Sequence, residues 1–132
     1  MKLPALLSAF CLVTAGCAQL QPGAESPAYA ARMKDAGDAY LACVTRESEK
    51  DMKNPTGAED IATAAHGRCW SDWEVYREAT NASFASNART QEERQFAHDK
   101  AEAHLRQFER EARRAVVDAV VARSLAGGAP KP

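Results

Sequence analysis

The sequence has no excess of charge of either sign, because 17 Lys and Arg face 18 Asp and Glu, for a net charge of −1. A chain without a basic surplus offers no electrostatic footprint for DNA or RNA, so nucleic-acid binding is disfavoured. Aromatic residues are scarce at 7%, enough only for a small core. The 132 residues, 45% apolar and 27% charged, indicate at most one globular domain rather than a disordered chain or a polytopic membrane protein.

The N-terminal segment predicts an exported protein. Lys2 supplies one positive charge, and the uncharged stretch 3–19 follows it. Its apolar part is shorter than the roughly 20 residues that cross a bilayer as a helix, and it ends in small residues, which is typical of a secretory signal peptide. One interpretation has an ordinary signal peptidase cut after Ala18, with Gly16 and Ala18 as the small pair.

A second interpretation rests on the residues that lead up to Cys17. The stretch Val13-Thr14-Ala15-Gly16-Cys17 resembles the lipobox of bacterial lipoproteins, and Thr14 stands where that motif most often has Leu. The resemblance implies that the Cys17 thiol is joined to a diacylglycerol and that cleavage follows before it. Fatty-acyl chains such as palmitate would then anchor the new N-terminus in a membrane. On this interpretation the signal peptide is 1–16, and the lipidated N-terminus and tether are 17–26.

The same resemblance predicts where the protein is found. A lipoprotein of this class lies in the bacterial cell envelope, lipid-anchored and facing the periplasm. The residue after the cysteine is Ala18, and in enteric-type lipoproteins an Asp at that position favours retention in the inner membrane. The outer membrane is therefore favoured over the inner one.

Beyond the tether, apolar side chains recur three or four residues apart, which is the spacing of amphipathic helices. Ser26 followed by Pro27 suits an N-cap and a first helical residue. Thr56 with Glu59, and likewise Thr90 with Glu93, form capping-box patterns. No segment is typical of a strand. The predicted helices are about 27–52, 57–82 and 91–126, within a helical domain at 27–126 that a disordered tail follows at 127–132.

These patterns predict an all-α fold, a small three-helix up-down-up bundle with a long C-terminal helix and one disulfide. Cys43 and Cys69 lie on the apolar faces of the first two helices, which a hairpin brings to similar heights. Exported proteins keep disulfides in the oxidising envelope, so we predict a Cys43–Cys69 bond. Closing a loop of this length is worth about 3.5 kcal/mol in the chain-entropy model.

Two places indicate a possible partner surface. Trp70 flanks the apolar stripe of the second helix and is either a partly exposed contact anchor or, as the favoured interpretation, a core residue with Trp73 and Tyr76. The last helix is longer than its neighbours, and Val117 and Val121 lie beyond its main apolar face. They are either an uncovered patch for a partner or part of the core if the helix bends back.

The sequence contains no motif that carries catalysis. It has no Gly-x-Ser-x-Gly, P-loop or dinucleotide fingerprint, and no His-Glu-x-x-His. His98 and Glu102, four residues apart, would supply only two metal ligands. We therefore predict no catalytic residue, no metal site and no cofactor.

The resulting hypothesis is a small cell-envelope lipoprotein that acts as a protein-interaction or structural module without catalysis. Its partners would be the membrane, through the lipid anchor, and another envelope protein or a second copy of itself. The alternative is a periplasmic inhibitor or immunity-type binder of a cell-wall hydrolase or toxin. Such a binder needs a defined loop or an aromatic anchor, for which 55–57 and Trp70 are the candidates.

Overall fold

Four helices make up most of the structure, a computed structural model that describes residues 26–53 and 56–127. The helices are α1 (Pro27–Asp51), α2 (Ala58–Arg68), α3 (Trp70–Ala85) and α4 (Gln91–Gly127). No strand occurs within the described ranges, so the predicted all-α class is confirmed. The predictions for 1–25, which include Cys17, and for the tail at 128–132 fall outside the described residues.

Two of the helices begin where the sequence predicts. α1 starts at Pro27 with Ser26 as its N-cap residue, although the Ser26 side chain makes no capping hydrogen bond. At the start of α4 the Glu93 N–H donates to Thr90 Oγ1 at 3.1 Å, and the Thr90 N–H donates to Glu93 Oε2 at 2.9 Å. This reciprocal pair confirms the predicted capping box.

The capping box predicted for the second helix is wrong. α2 begins at Ala58, and its N-cap residue is Gly57, which makes no side-chain capping hydrogen bond. Glu59 instead faces α4, where its carboxylate accepts a hydrogen bond from Arg113 at 3.4 Å. With Gly57 as the N-cap residue, Glu59 is the second residue of the helix and not the third, so the reciprocal pair of a capping box does not form.

The predicted second helix is divided at Cys69 into α2 and α3. Cys69 has φ −100° and ψ 21°, outside the helical region. Its N–H donates to the carbonyls of both Ala65 and His66 at 3.1 Å, which tightens the last turn of α2. Gly67, a poor helix former, lies in that turn. The second half continues to Ala85, beyond the predicted end at 82.

The divided helix nevertheless runs antiparallel to α1 along its whole length. Tyr40 of α1 packs against Trp73 of α3, with ring centroids 5.3 Å apart. Further along α1, Glu47 accepts a hydrogen bond from Arg68, which precedes Trp73 in the chain. The break at Cys69 therefore changes the local direction of the chain without changing the hairpin.

The long helix α4 returns antiparallel to α2 and α3, and this completes the predicted up-down-up order. Near its start, His104 contacts Tyr76 of α3. Nearer its end, Arg113 donates to Thr63 of α2. Arg123 then reaches Met52, at the end of α1.

The core changes in character along the bundle. Small side chains fill the end where α1 begins, and the aromatic rings lie near the middle. Aliphatic side chains fill the end where α1 stops. The buried apolar core is formed by Ala36, Tyr40, Cys43, Val44, Ile61, Ala62, Ala65, Cys69, Trp73, Tyr76, Ala79, Leu105, Ala112, Val116 and Val120.

The C-terminal part of α4 projects past its neighbours. Residues 121–127 are all exposed, and Val121 and Leu125 present apolar side chains to solvent. Val117, by contrast, is partly buried and packs against the core. Of the two alternatives, Val117 therefore belongs with the core and Val121 is uncovered, because the bundle covers α4 as far as Val120, and a partner at Val121 stays a prediction. No helix among the described residues has the length and hydropathy of a membrane span.

Gly37 is a point of close helix contact, and Gly67 serves as its control. We expect Gly67→Ala to raise the free energy of unfolding by about 0.5–1 kcal/mol, because a Cβ there meets no atom within 4 Å. A Cβ at Gly37 would lie 3.1 Å from Cε2 of Tyr76, a ring packed tightly against Phe108. Gly37→Ala should therefore be at least about 1 kcal/mol less stable than Gly67→Ala in urea unfolding. Equal stability of the two variants would contradict this packing.

Candidate functional site

Trp70 is a large aromatic side chain that lies at the surface, directly after the break between α2 and α3. It is the first residue of α3 and is 52% exposed. Its indole meets the His66 ring edge-on, with centroids 5.7 Å apart and planes at 85°. Trp70 is therefore partly exposed and not the core residue that the sequence favours, and its role at a partner surface stays a prediction.

The His66 ring beneath Trp70 is fixed from the core side. Its Nδ1 lies 2.7 Å from the Tyr40 hydroxyl, in a hydrogen bond that joins α2 to α1. Trp73 packs against the same imidazole at 5.7 Å between centroids. Tyr40 is itself only 2% exposed. The surface indole therefore rests on a ring that the core holds in one orientation.

The predicted disulfide holds this arrangement together. Cys43 and Cys69 are joined by an S–S bond of 2.02 Å, with Cα atoms 5.9 Å apart, and both residues are buried. Cys69 is the residue between α2 and α3, so the bond ties the point of the break to α1. His66 and Trp70 lie directly on either side of that point, within one helical turn of the fixed residue.

The two sulfurs also belong to a compact group with Asp72. One potential ligand atom from each of Cys43, Cys69 and Asp72 lies within 4.8 Å of the others. Because the sulfurs are bonded to each other, they are not the thiolates that bind metals. The group is therefore a disulfide with a carboxylate nearby.

Ion pairs close the outer side of the hairpin beside the disulfide. Glu47 is nearly buried, and its carboxylate accepts hydrogen bonds from Lys50 at 2.6 Å and from Arg68 at 3.1 Å. Arg68 also binds Asp51. The hydrogen bond from Lys50 lowers the pKa of Glu47. These contacts join the end of α1 to the end of α2.

A narrow cleft opens next to His66, between α2 and α4. Its volume is about 10 Å³, close to what one water molecule occupies, which is far smaller than a typical small-molecule site. α1 supplies its apolar floor. The lining residues are Tyr40, Val44, Ala62, His66, Glu109, Ala112, Arg113 and Val116.

The two charged side chains of the cleft differ in how they are paired. Arg113 donates to Glu59 at 3.4 Å and to Thr63 at 3.2 Å. Glu109 is partly buried and has no hydrogen bond or ion pair within the described part of the chain. The cleft thus contains one neutralised guanidinium and one carboxylate without a direct partner.

The pKa of Tyr40 reports the balance of charge at the floor of this cleft. The pKa of Tyr40 is raised to about 12, first by burial and then by the charge of Glu109, and Arg113 opposes the shift by a smaller amount. A negative charge disfavours ionisation of a phenol, whereas a positive charge favours it. The carboxylate therefore outweighs the guanidinium at the Tyr40 hydroxyl.

A second tyrosine–histidine pair repeats the arrangement deeper in the bundle. The Tyr76 hydroxyl lies 2.8 Å from His104 Nε2, and the Tyr76 ring packs on Phe108 at 4.3 Å between centroids. Phe84 packs on the other ring of the pair, with centroids 5.6 Å from His104. Burial raises the pKa of Tyr76. This pair joins α3 to α4.

Sequence reasoning missed both tyrosine–histidine pairs and Glu109. The available signal was that Tyr40, His66 and Tyr76 lie on or beside apolar faces, where a buried hydroxyl requires a partner.

No protein-family model, curated protein or solved structure matches this chain. The site is therefore interpreted from its own geometry and charge.

The raised pKa of Tyr40 predicts a loss of stability in alkali. Because the folded pKa of about 12 exceeds the ordinary 10.0, the folded chain holds the phenol proton more tightly. The corresponding stability is present below pH 10 and is lost as the pH rises towards 12. Tyrosinate absorbance should show a last ionisation near pH 12 that Tyr40→Phe removes, with circular dichroism recorded alongside to verify folding. Tyr29→Phe is the control and should keep that step. A step that persists in Tyr40→Phe would contradict the assignment.

Proposed function

We propose that this chain is a small cell-envelope lipoprotein that acts as a non-catalytic protein-interaction module through the surface around Trp70. The observation that carries the proposal is an exposed indole held rigidly in place. Trp70 stands on His66, His66 is hydrogen-bonded to Tyr40, and the disulfide at Cys69 fixes the break in the helix beside them.

Rigid support makes an exposed tryptophan effective as an anchor. Binding a partner costs entropy when a side chain or loop must be ordered at the interface. Here His66 and the helix break already limit the motion of the indole, so less of that cost remains. Tryptophan is also among the residues enriched in the energetic centres of interfaces.

The position of the surface suits a membrane-anchored chain. Tyr40, which supports His66, lies 13 residues after Pro27 at the start of α1, or about 20 Å along the helix axis. An anchor at Cys17 would join the bundle at that start. Trp70 would then stand clear of the bilayer and be available to a partner in the periplasm.

The small volume of the cleft supports binding rather than catalysis. A cleft that holds about one water molecule does not enclose a substrate, although it can receive part of a partner's side chain. If the chain instead has a structural role and binds a second copy of itself, that copy would contact the same surface around Trp70.

The exposure of Trp70 also favours a second candidate function, a periplasmic inhibitor or immunity-type binder of a cell-wall hydrolase or toxin. Such a binder inserts a rigid anchor into its target, and Trp70 is such an anchor on a fixed support. The target of an immunity-type binder would be absent from cells that do not make or meet the toxin.

Trp70 and Val75 form a matched pair for testing the surface. They are 52% and 54% exposed and lie on the same helix. A photo-crosslinking residue at the exposed position 67, one turn before Trp70, should capture a partner in living cells. Trp70→Ala should abolish that crosslink, and Val75→Ala should leave it intact, with folding checked by circular dichroism. A crosslink that survives Trp70→Ala would contradict the proposed surface.

Cys17→Ser tests the anchor separately. The acyl chains depend on the Cys17 thiol, so the variant should move from the detergent fraction to the soluble periplasmic fraction, and metabolic labelling with palmitate should be lost. Cys11→Ser is the control, because Cys11 would leave with the signal peptide. Equal membrane retention and labelling in both variants would contradict lipidation at Cys17.

A further inference from the structure

We infer that the Trp70 surface recognises a cationic side chain, an arginine or lysine presented by a partner protein, and that Glu109 is its counter-ion. The inference rests on the proposed interaction function and specifies the chemistry of the partner. It follows from the charge of the cleft and from its closeness to an exposed indole.

Glu109 is the carboxylate in the cleft that lacks a direct partner. The two arginines one helical turn from it on α4 bind other acids: Arg113 binds Glu59 at 3.4 Å, and Arg106 binds Glu102 at 3.8 Å. A partly buried carboxylate gains most from a partner that both neutralises it and donates hydrogen bonds. A guanidinium or ammonium group satisfies both requirements.

The charges in the cleft do not cancel. Arg113 is paired with Glu59 at 3.4 Å, whereas Glu109 has no ion pair among the described residues, so the cleft has one uncompensated negative charge. An approaching cation is therefore attracted to the floor of the cleft, whereas a phosphate or carboxylate is repelled. The charge of the site thus complements a basic side chain and not an acidic one.

An exposed aromatic side chain lies next to one wall of the cleft. His66, which lines the cleft with Glu109, also contacts the Trp70 indole, so the cleft and the indole share one imidazole ring. Tryptophan is the strongest of the aromatic residues in attracting a cation to its ring face. A long, flexible basic side chain can contact the indole with its stem or head while its charge lies towards Glu109.

The volume of the cleft limits how far the partner's basic side chain can enter it. Room for about one water molecule admits the end of a side chain but not a folded segment. The partner's backbone would therefore remain outside, above Trp70, which agrees with a docking surface.

The test uses two blocked tripeptides, glycyl-arginyl-glycine and its citrulline analogue, which has nearly the same shape without the charge. They are added at millimolar concentration to the detergent-solubilised full chain, labelled with ¹⁵N on its tryptophans. We expect the arginine peptide to shift the Trp70 indole N–H signal in a saturable way, and the citrulline peptide to leave it unchanged. Equal shifts from both peptides, or no shift from either, would overturn the inference.

Glu109→Gln and Glu102→Gln provide the matched variants, because both glutamates are partly buried residues of α4. Glu109→Gln should weaken the binding of the arginine peptide about tenfold, which is the usual contribution of a charge-assisted hydrogen bond. Glu102→Gln should leave its affinity unchanged. Equal effects of the two variants would overturn the assignment of Glu109. A Trp70 signal that moves with protein concentration alone would show a second copy on the surface and would likewise overturn the inference.

The crosslink from position 67 separates this inference from the function on which it rests. If capture requires Trp70 but persists unchanged in Glu109→Gln, the interaction surface stands and the cationic partner is rejected. Loss of capture in both Trp70→Ala and Glu109→Gln, with capture retained in Glu102→Gln, supports both proposals.

Discussion

The covalent bond between Cys43 and Cys69 is the constraint on which the other features of this bundle depend. A core that is rich in alanine offers little apolar area per residue, and a domain of this size has a small margin of stability. The bond restricts the unfolded chain, which the entropy model values at about 3.5 kcal/mol. It also fixes Cys69, where the middle helix is broken, against α1. Stability and the geometry of the site thus have the same origin.

The polar contacts extend this constraint across the bundle. Tyr40 and His66 join α1 to α2, and Tyr76 and His104 join α3 to α4, so each buried hydroxyl satisfies a ring nitrogen on a neighbouring helix. Such contacts select one rotation of each helix, which a core of small side chains does not do alone. In the first pair the imidazole reaches the surface and supports Trp70. The hydrogen bond between Tyr40 and His66 inside the bundle therefore also supports the proposed binding surface.

The sequence alone is sufficient for the all-α class, the up-down-up order and the disulfide, because those follow from periodicity, from helix breakers and from the height of two cysteines in a hairpin. It does not predict the division at Cys69, since no proline marks it and a single glycine such as Gly67 is tolerated inside a helix. The capping-box pattern at Thr56 likewise does not fix the start of α2, which lies one residue later, with Gly57 as the N-cap residue. Glu109 resembles every other acid on α4 in the sequence. Only the arrangement of its neighbours distinguishes it, because the arginines one helical turn away on either side bind other carboxylates.

The most direct test of this account is the nuclear Overhauser spectrum of the oxidised protein. The account predicts contacts between the indole protons of Trp70 and the ring protons of His66, and between the rings of His66 and Tyr40. These contacts would show that the surface indole is held by the core through one imidazole. A Trp70 indole with the shifts of free tryptophan and no contact to His66 would contradict the account, because the exposed side chain would then have no fixed support.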